Sequence, residues 1–166
     1  MRFALNVDRV HALPELAPRY DEELDDVRSI LADVCTALAE TGTVDFVVSG
    51  FGQEHWPVDV QTDLVVFLEQ LSEALTSIDA EAPFILDFYE QGLERSLHFE
   101  FQSHHYLARC ESHTEWRPAP MVESIGKDSL QEMLGGIRRS FVRMLERLAP
   151  HVASHPWMRA WAGATP

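Results

Sequence analysis

A chain of 166 residues is the length of one ordinary domain, and 46% apolar residues suffice for a core without disulfides or a structural metal. A formal net charge of −14 repels nucleic acid and anionic lipid, so the expected partner is a basic protein, with solubility alone as the plain alternative. The charge is uneven: residues 1–80 carry 16 acidic and 4 basic side chains, residues 127–166 carry 3 and 6.

Taken in order, Met1–Val7 alternates Phe3, Leu5 and Val7 against Arg2, Ala4 and Asn6, which predicts a short first strand. MRFALNVDRVHAL has no basic lead before a long apolar run, and no stretch is long enough to span a bilayer, so a cytoplasmic protein with no membrane contact is expected. Pro14 and Pro18 predict a loop. A helix is predicted from about Asp21 to Thr41, with Leu24, Val27, Ile30, Leu31, Val34 and Leu38 as its apolar stripe. Asp21, Glu22, Glu23, Asp25 and Asp26 fall in its first turns. Carboxylates favour the positive end of a helix, but five in six residues exceed what a cap requires. A basic partner would relieve their repulsion, and a solvated helix start would also tolerate it.

Gly42 stops that helix, and Val44–Ser49 reads as a buried strand. The segment Gly50-Phe51-Gly52-Gln53-Glu54-His55-Trp56-Pro57 is a loop carrying large aromatics. Either Phe51 and Trp56 fold back under the sheet, or they are displayed for contact. Thr62 or Asp63 is placed to cap a second helix reaching about Ile78, with Leu64, Phe67, Leu68, Leu71 and Leu75 inward.

Pro83–Ser112 is the most legible stretch. Phe84, Leu86 and Phe88 share one parity, Gln91-Gly92 breaks the run, and Leu97, Phe99 and Phe101 resume it. After a second break at Ser103-His104, Tyr106, Ala108 and Cys110 continue. Three antiparallel strands follow, with one aromatic face and one polar face carrying Asp87, Tyr89, His98, Glu100, Arg109 and Glu111. Trp116–Pro120 is an extended, proline-stiffened crossing. A third long helix is predicted from Asp128 or Ser129 to Leu148, and a short final helix carries Trp157, Met158 and Trp161. The predicted fold is a single α+β domain: an antiparallel sheet of about five strands, covered on one face by three long helices and a short C-terminal one.

The chemical motifs are sparse. His104, His105, Cys110 and His113 lie close in sequence, but strand parity splits them between two faces, so no metal site is expected. Cys35 and Cys110 read as small buried side chains. Asp87, His98 and Glu100 on one sheet face could serve a small ligand or an acid–base reaction if that face formed a pocket, and cross-strand pairing such as Glu100 with Arg109 is the simpler use. No nucleophile elbow, phosphate loop or activated cysteine is found, so neither catalytic residues nor a cofactor are expected. The arginines Arg138, Arg139, Arg143 and Arg147 are expected to face the acidic first helix or the acidic sheet face.

The segments SGFGQEHWPVDV and ILDFYEQGLERSL, in a small acidic α+β chain, resemble those of immunity proteins from bacterial toxin–immunity pairs. The resemblance spans about Val44 to Ser112 and rests on no defined family motif. It implies stoichiometric binding to a basic toxin domain and occlusion of the toxin's active site, with no reaction of its own. Phe51, Trp56 and Tyr89 are then the candidate contact aromatics, surrounded by Glu54, Glu90, Glu94, Asp21, Glu22 and Asp25. A monomer or weak homodimer is expected, the latter through sheet edges or exposed Trp157 and Trp161.

Overall fold

The computed structural model describes residues 1–8, 10, 12–13, 16 and 20–163; the predicted Pro14 and Pro18 loop lies outside them. In chain order the elements are β1 (Arg2–Val7), α1 (Val27–Thr41), β2 (Val44–Ser49), α2 (Asp63–Asp79), β3 (Phe84–Phe88), β4 (Arg95–Gln102), β5 (His105–Ser112), β6 (Val122–Gly126), α3 (Lys127–Leu148), α4 (Pro150–Ala153) and α5 (Pro156–Trp161). The strands form two antiparallel sheets, β1-β2 and β3-β4-β5-β6, rather than the one sheet of about five strands expected. The mixed helix-and-sheet class stands, and the helices number three long and two short among the described residues.

The parity of the central stretch becomes the two faces of the larger sheet. Phe84, Leu86, Phe88, Leu97, Phe99, Tyr106, Ala108 and Cys110 point inward and are buried. Phe84 stands opposite Phe99, and their rings stack at 4.4 Å between centroids with planes 5° apart. Each fully buried side chain of this size contributes about 1.5–3 kcal/mol. The fourth strand, β6, escaped prediction because Val122-Glu123-Ser124-Ile125-Gly126 offers little apolar alternation. Its inward position is held by Glu123, whose Oε1 accepts the Phe51 N–H at 2.5 Å.

α2 lies between the sheets. Its Phe67 ring meets Phe3 and Phe46 of the small sheet at 5.4 and 5.2 Å and Phe88 of the large one at 6.4 Å. That position explains why every residue from Asp63 to Leu68 is buried, where a surface helix would show a single stripe. α5 docks on the same helix: Trp161 Nε1 donates to the Leu68 carbonyl at 3.0 Å. Trp161 is therefore core and Trp157 half-buried, which withdraws both from the expected role of exposed dimer contacts.

α1 starts at Val27, later than expected, because Asp26 caps it, accepting the Arg28 N–H at 2.7 Å. Asp21 and Asp25 sit in the turn before it. α3 runs unbroken through Gly135-Gly136, and the space beside Gly135 is filled by the side chain of Arg139 rather than by the sheet. Two of the four arginines of α3 have partners other than the α1 and sheet carboxylates expected. Arg139 pairs with Glu132 of its own helix, and Arg147 donates to the Val10 carbonyl at 3.3 Å.

Candidate functional site: an acidic cleft on the outer sheet face

The outward residues of the large sheet fall into cross-strand rows set by the register. Ile85, His98, Arg109 and Val122 form one row; Asp87, Ser96 and Glu111 form the next. Glu100 faces Leu107, so the expected Glu100–Arg109 pair is not opposed, and the polar contact found on this face is His98 Nε2 to Glu111 Oε2 at 3.6 Å. At the β3 edge, α2 rises beside the sheet and turns the flat face into a cleft of about 640 Å³. Its walls are Gln70, Glu73 and Ala74 from α2, Pro83, Ile85 and Asp87 from the β3 segment, and His98 and Glu100 from β4.

Gln70 fixes how helix and strand meet. Its amide oxygen accepts the Asp87 N–H at 2.7 Å and its amide nitrogen donates to the Asp87 carbonyl at 2.9 Å, so the side chain pairs with the strand as a neighbouring strand would. The open edge of β3 is thereby blunted. Within the cleft, the Asp87 carboxylate accepts from Ser96 Oγ at 2.8 Å. Glu73 and Glu100 are exposed, and among the described residues neither has a hydrogen-bond or ionic partner. The lining contains three carboxylates and no lysine or arginine. Ile85, on its rim, is 51% exposed.

Next to the cleft stands Tyr89, 55% exposed, its hydroxyl donating to Glu69 at 3.3 Å. Partial burial, then the Glu69 carboxylate, push its phenol above the usual range; Glu90 adds to this and Arg28 opposes it. Arg28 belongs to the first turn of α1, so Tyr89 and Glu90 lie near the start of that helix. The run Asp21–Asp26 is partly consumed locally. Asp21 accepts the Glu23 N–H, Asp25 accepts the Asp21 N–H and the Ser29 hydroxyl, and Asp26 is the cap. The Asp21 N–H and Ser29 hydroxyl hold the Asp25 carboxyl below its usual value. Glu22 and Glu23 remain exposed.

Other candidates are elsewhere. Phe51 and Trp56 are 1% and 4% exposed, so the loop aromatics fold back and neither ring is presented to a partner in this structure. The backbone explains how: Gly50, Phe51 and Gly52 all have positive φ, which reverses the chain within three residues and turns Phe51 inward. Gly52 is required, since a Cβ there would run into the Ala119 carbonyl. Glu54 is exposed on that turn. Glu94 is half-buried at φ 41°, its carbonyl accepting the His113 N–H at 2.9 Å.

Trp56 instead closes the inner end of the sheet. Arg95, 3% exposed, lies between two indoles, its guanidinium carbon 4.4 Å from the Trp56 ring and 3.6 Å from the Trp116 ring. Its Nε and Nη1 are buried without a hydrogen-bond partner among the described residues, and burial lowers its pKa. The same cation partly offsets the burial that pushes the Cys110 thiol up to about 11. Arg95 shares the inward parity of Leu97 and Phe99, so the sequence held the signal: an arginine at a core position of a strand. Asp63, 4% exposed at the start of α2, has its carboxyl pushed up to about 6, chiefly by burial. Gln70 and Glu73, flanking the apolar stripe of α2, carried no signal of their own.

Among the described residues, no group of three or more histidine, cysteine or acidic side chains is placed to hold a metal ion. No helix among them is long and apolar enough to cross a membrane. Compared with known proteins, the chain matches no family model, no curated protein and no solved structure.

Proposed function

We propose that this chain is an acidic binding protein for a basic protein partner, and within that class an immunity protein that neutralises a cognate toxin by covering its active site. The observation carrying the reading is the acidic surface at the β3 edge. Glu69 and Glu90 flank Tyr89, and Glu73, Asp87 and Glu100 line the cleft, with Glu22 and Glu23 exposed before α1. Exposed carboxylates without counter-charges accelerate encounter with a cationic surface, and a half-exposed aromatic such as Tyr89 is the side chain that supplies binding energy once the surfaces meet. Affinity capture from the source cells at low salt should recover a basic protein that is released as ionic strength rises. Failure to recover any partner at low salt would count against the proposal.

A second reading has its own support. The cleft at Asp87, His98 and Glu100 has a volume within the span of about 300–1,000 Å³ usual for small-molecule sites. A small cationic ligand is the chemistry it would select. Native mass spectrometry of the protein purified from its source separates the two readings, since a retained small molecule favours the second.

A further inference from the structure

We infer that the cleft between α2 and the β3–β4 face is a socket for arginine or lysine side chains of an extended basic segment of a protein partner; this rests on the binding-protein reading above. Four observations point there. The lining offers Glu73, Asp87 and Glu100 with no cation among them, and Glu73 and Glu100 have no partner among the described residues. The floor and rim supply apolar surface from Ala74, Pro83 and Ile85, against which the methylene stem of a long cationic side chain can lie. The carboxylates do not converge into a metal-holding group, so a compact divalent ion finds no ligand set, whereas cations on flexible stems can reach each one separately. Gln70 takes the Asp87 backbone groups on the β3 edge, so a partner adding there as a further strand would have to displace it, and recognition through side chains is favoured.

Spacing narrows the occupant. Asp87 stands opposite Ser96, and Glu100 lies four residues further along β4. At about 3.4 Å per residue the two carboxylates are separated by about 14 Å along the strand. An extended segment with a cation at every second position places its first and third cations about 14 Å apart on one side. A volume of about 640 Å³ also exceeds what one side chain fills. A guanidinium gains more than an ammonium here, because its planar fork can take a carboxylate through two hydrogen bonds.

The test uses the intact protein, isotope-labelled, titrated with acetyl-Arg-Gly-Arg-Gly-Arg-amide, with the same peptide carrying citrulline for arginine, and with spermidine. The inference expects amide shifts concentrated at residues 70–74, 83–87 and 98–100, and an affinity for the arginine peptide at least about tenfold above that for the citrulline peptide. Glu73→Gln with Glu100→Gln should remove most of that preference while leaving the amide spectrum outside the cleft unchanged. Equal binding of the citrulline peptide overturns the inference, as does spermidine binding in the cleft as tightly as the arginine peptide. Shifts confined to Asp21–Asp26 and Tyr89 would overturn the socket and leave the binding-protein reading standing. No arginine-dependent shift anywhere would count against both.

Discussion

The two faces of the large sheet handle charge in opposite ways. Inside, Arg95 is a cation with no carboxylate partner among the described residues, held between the Trp56 and Trp116 rings. Outside, Glu73, Asp87 and Glu100 stand around an open cleft whose lining holds no lysine or arginine. A buried unpaired ion costs several kcal/mol, and two aromatic faces recover part of it at about 2 kcal/mol each when water is excluded. Exposed carboxylates cost little alone because water solvates them. The inner arrangement is thus offset in part within the chain and belongs to stability, while the outer one, on the function proposed above, would be offset by a partner.

That contrast can be broken at its strongest point first. Trp56 packs on Phe51, Phe88, Trp116 and Arg95, and its Nε1 donates to the Gly50 carbonyl at 3.2 Å. Trp56→Ala should lower unfolding free energy by about 3–5 kcal/mol in a denaturant titration. A loss below 1 kcal/mol, on the order of an ordinary surface substitution, would mean the inner end is not a packed unit.

Arg95 sharpens the comparison. Arg95→Lys keeps a desolvated charge but loses the planar stack, and should cost about 2 kcal/mol. Arg95→Met fills a similar space without charge and should cost less than the lysine variant. The reverse order, read from the same titrations, would show that charge rather than stacking holds this position.

Asp63 gives the pH dependence. Its folded pKa of about 6 lies above the ordinary carboxyl value of 3.8, so between these values the folded state binds more protons than the unfolded one. Stability from this group is present at low pH and is lost as pH rises from about 4 to about 6. Asp63→Asn should flatten the stability–pH curve across that window, and an unchanged slope would reassign the effect. The smallest effect belongs to the outer face: Glu73→Gln and Glu100→Gln should each leave unfolding free energy within about 0.5 kcal/mol of the parent.

Much of this contrast was legible before any coordinates. Parity alone placed Phe84, Leu86, Phe88, Leu97 and Phe99 on one face and Asp87, His98 and Glu100 on the other, because a strand with one buried face tolerates no slip. The helices α2 and α3 were located within a residue or two from their apolar periodicity, although neither N-cap residue, Thr62 or Gly126, makes a side-chain capping bond. What escaped depended on contacts distant in sequence. β6 is short and half polar, and its place is set by pairing with β5. The loop aromatics could have been core or contact, and the run of positive φ from Gly50 to Gly52 decided for the core. The cleft exists because Gln70 reaches a strand 17 residues away, a pairing that no local pattern encodes.

Hydrogen exchange of the protein, alone and with a partner captured at low salt, tests the outer-face assignment most directly. Binding should slow exchange at amides 84–89 and 96–101 and leave those around Trp56 and Trp116 unchanged. Protection confined to α3 or to the Gly50–Pro57 turn, with the outer sheet face unaffected, would contradict the account.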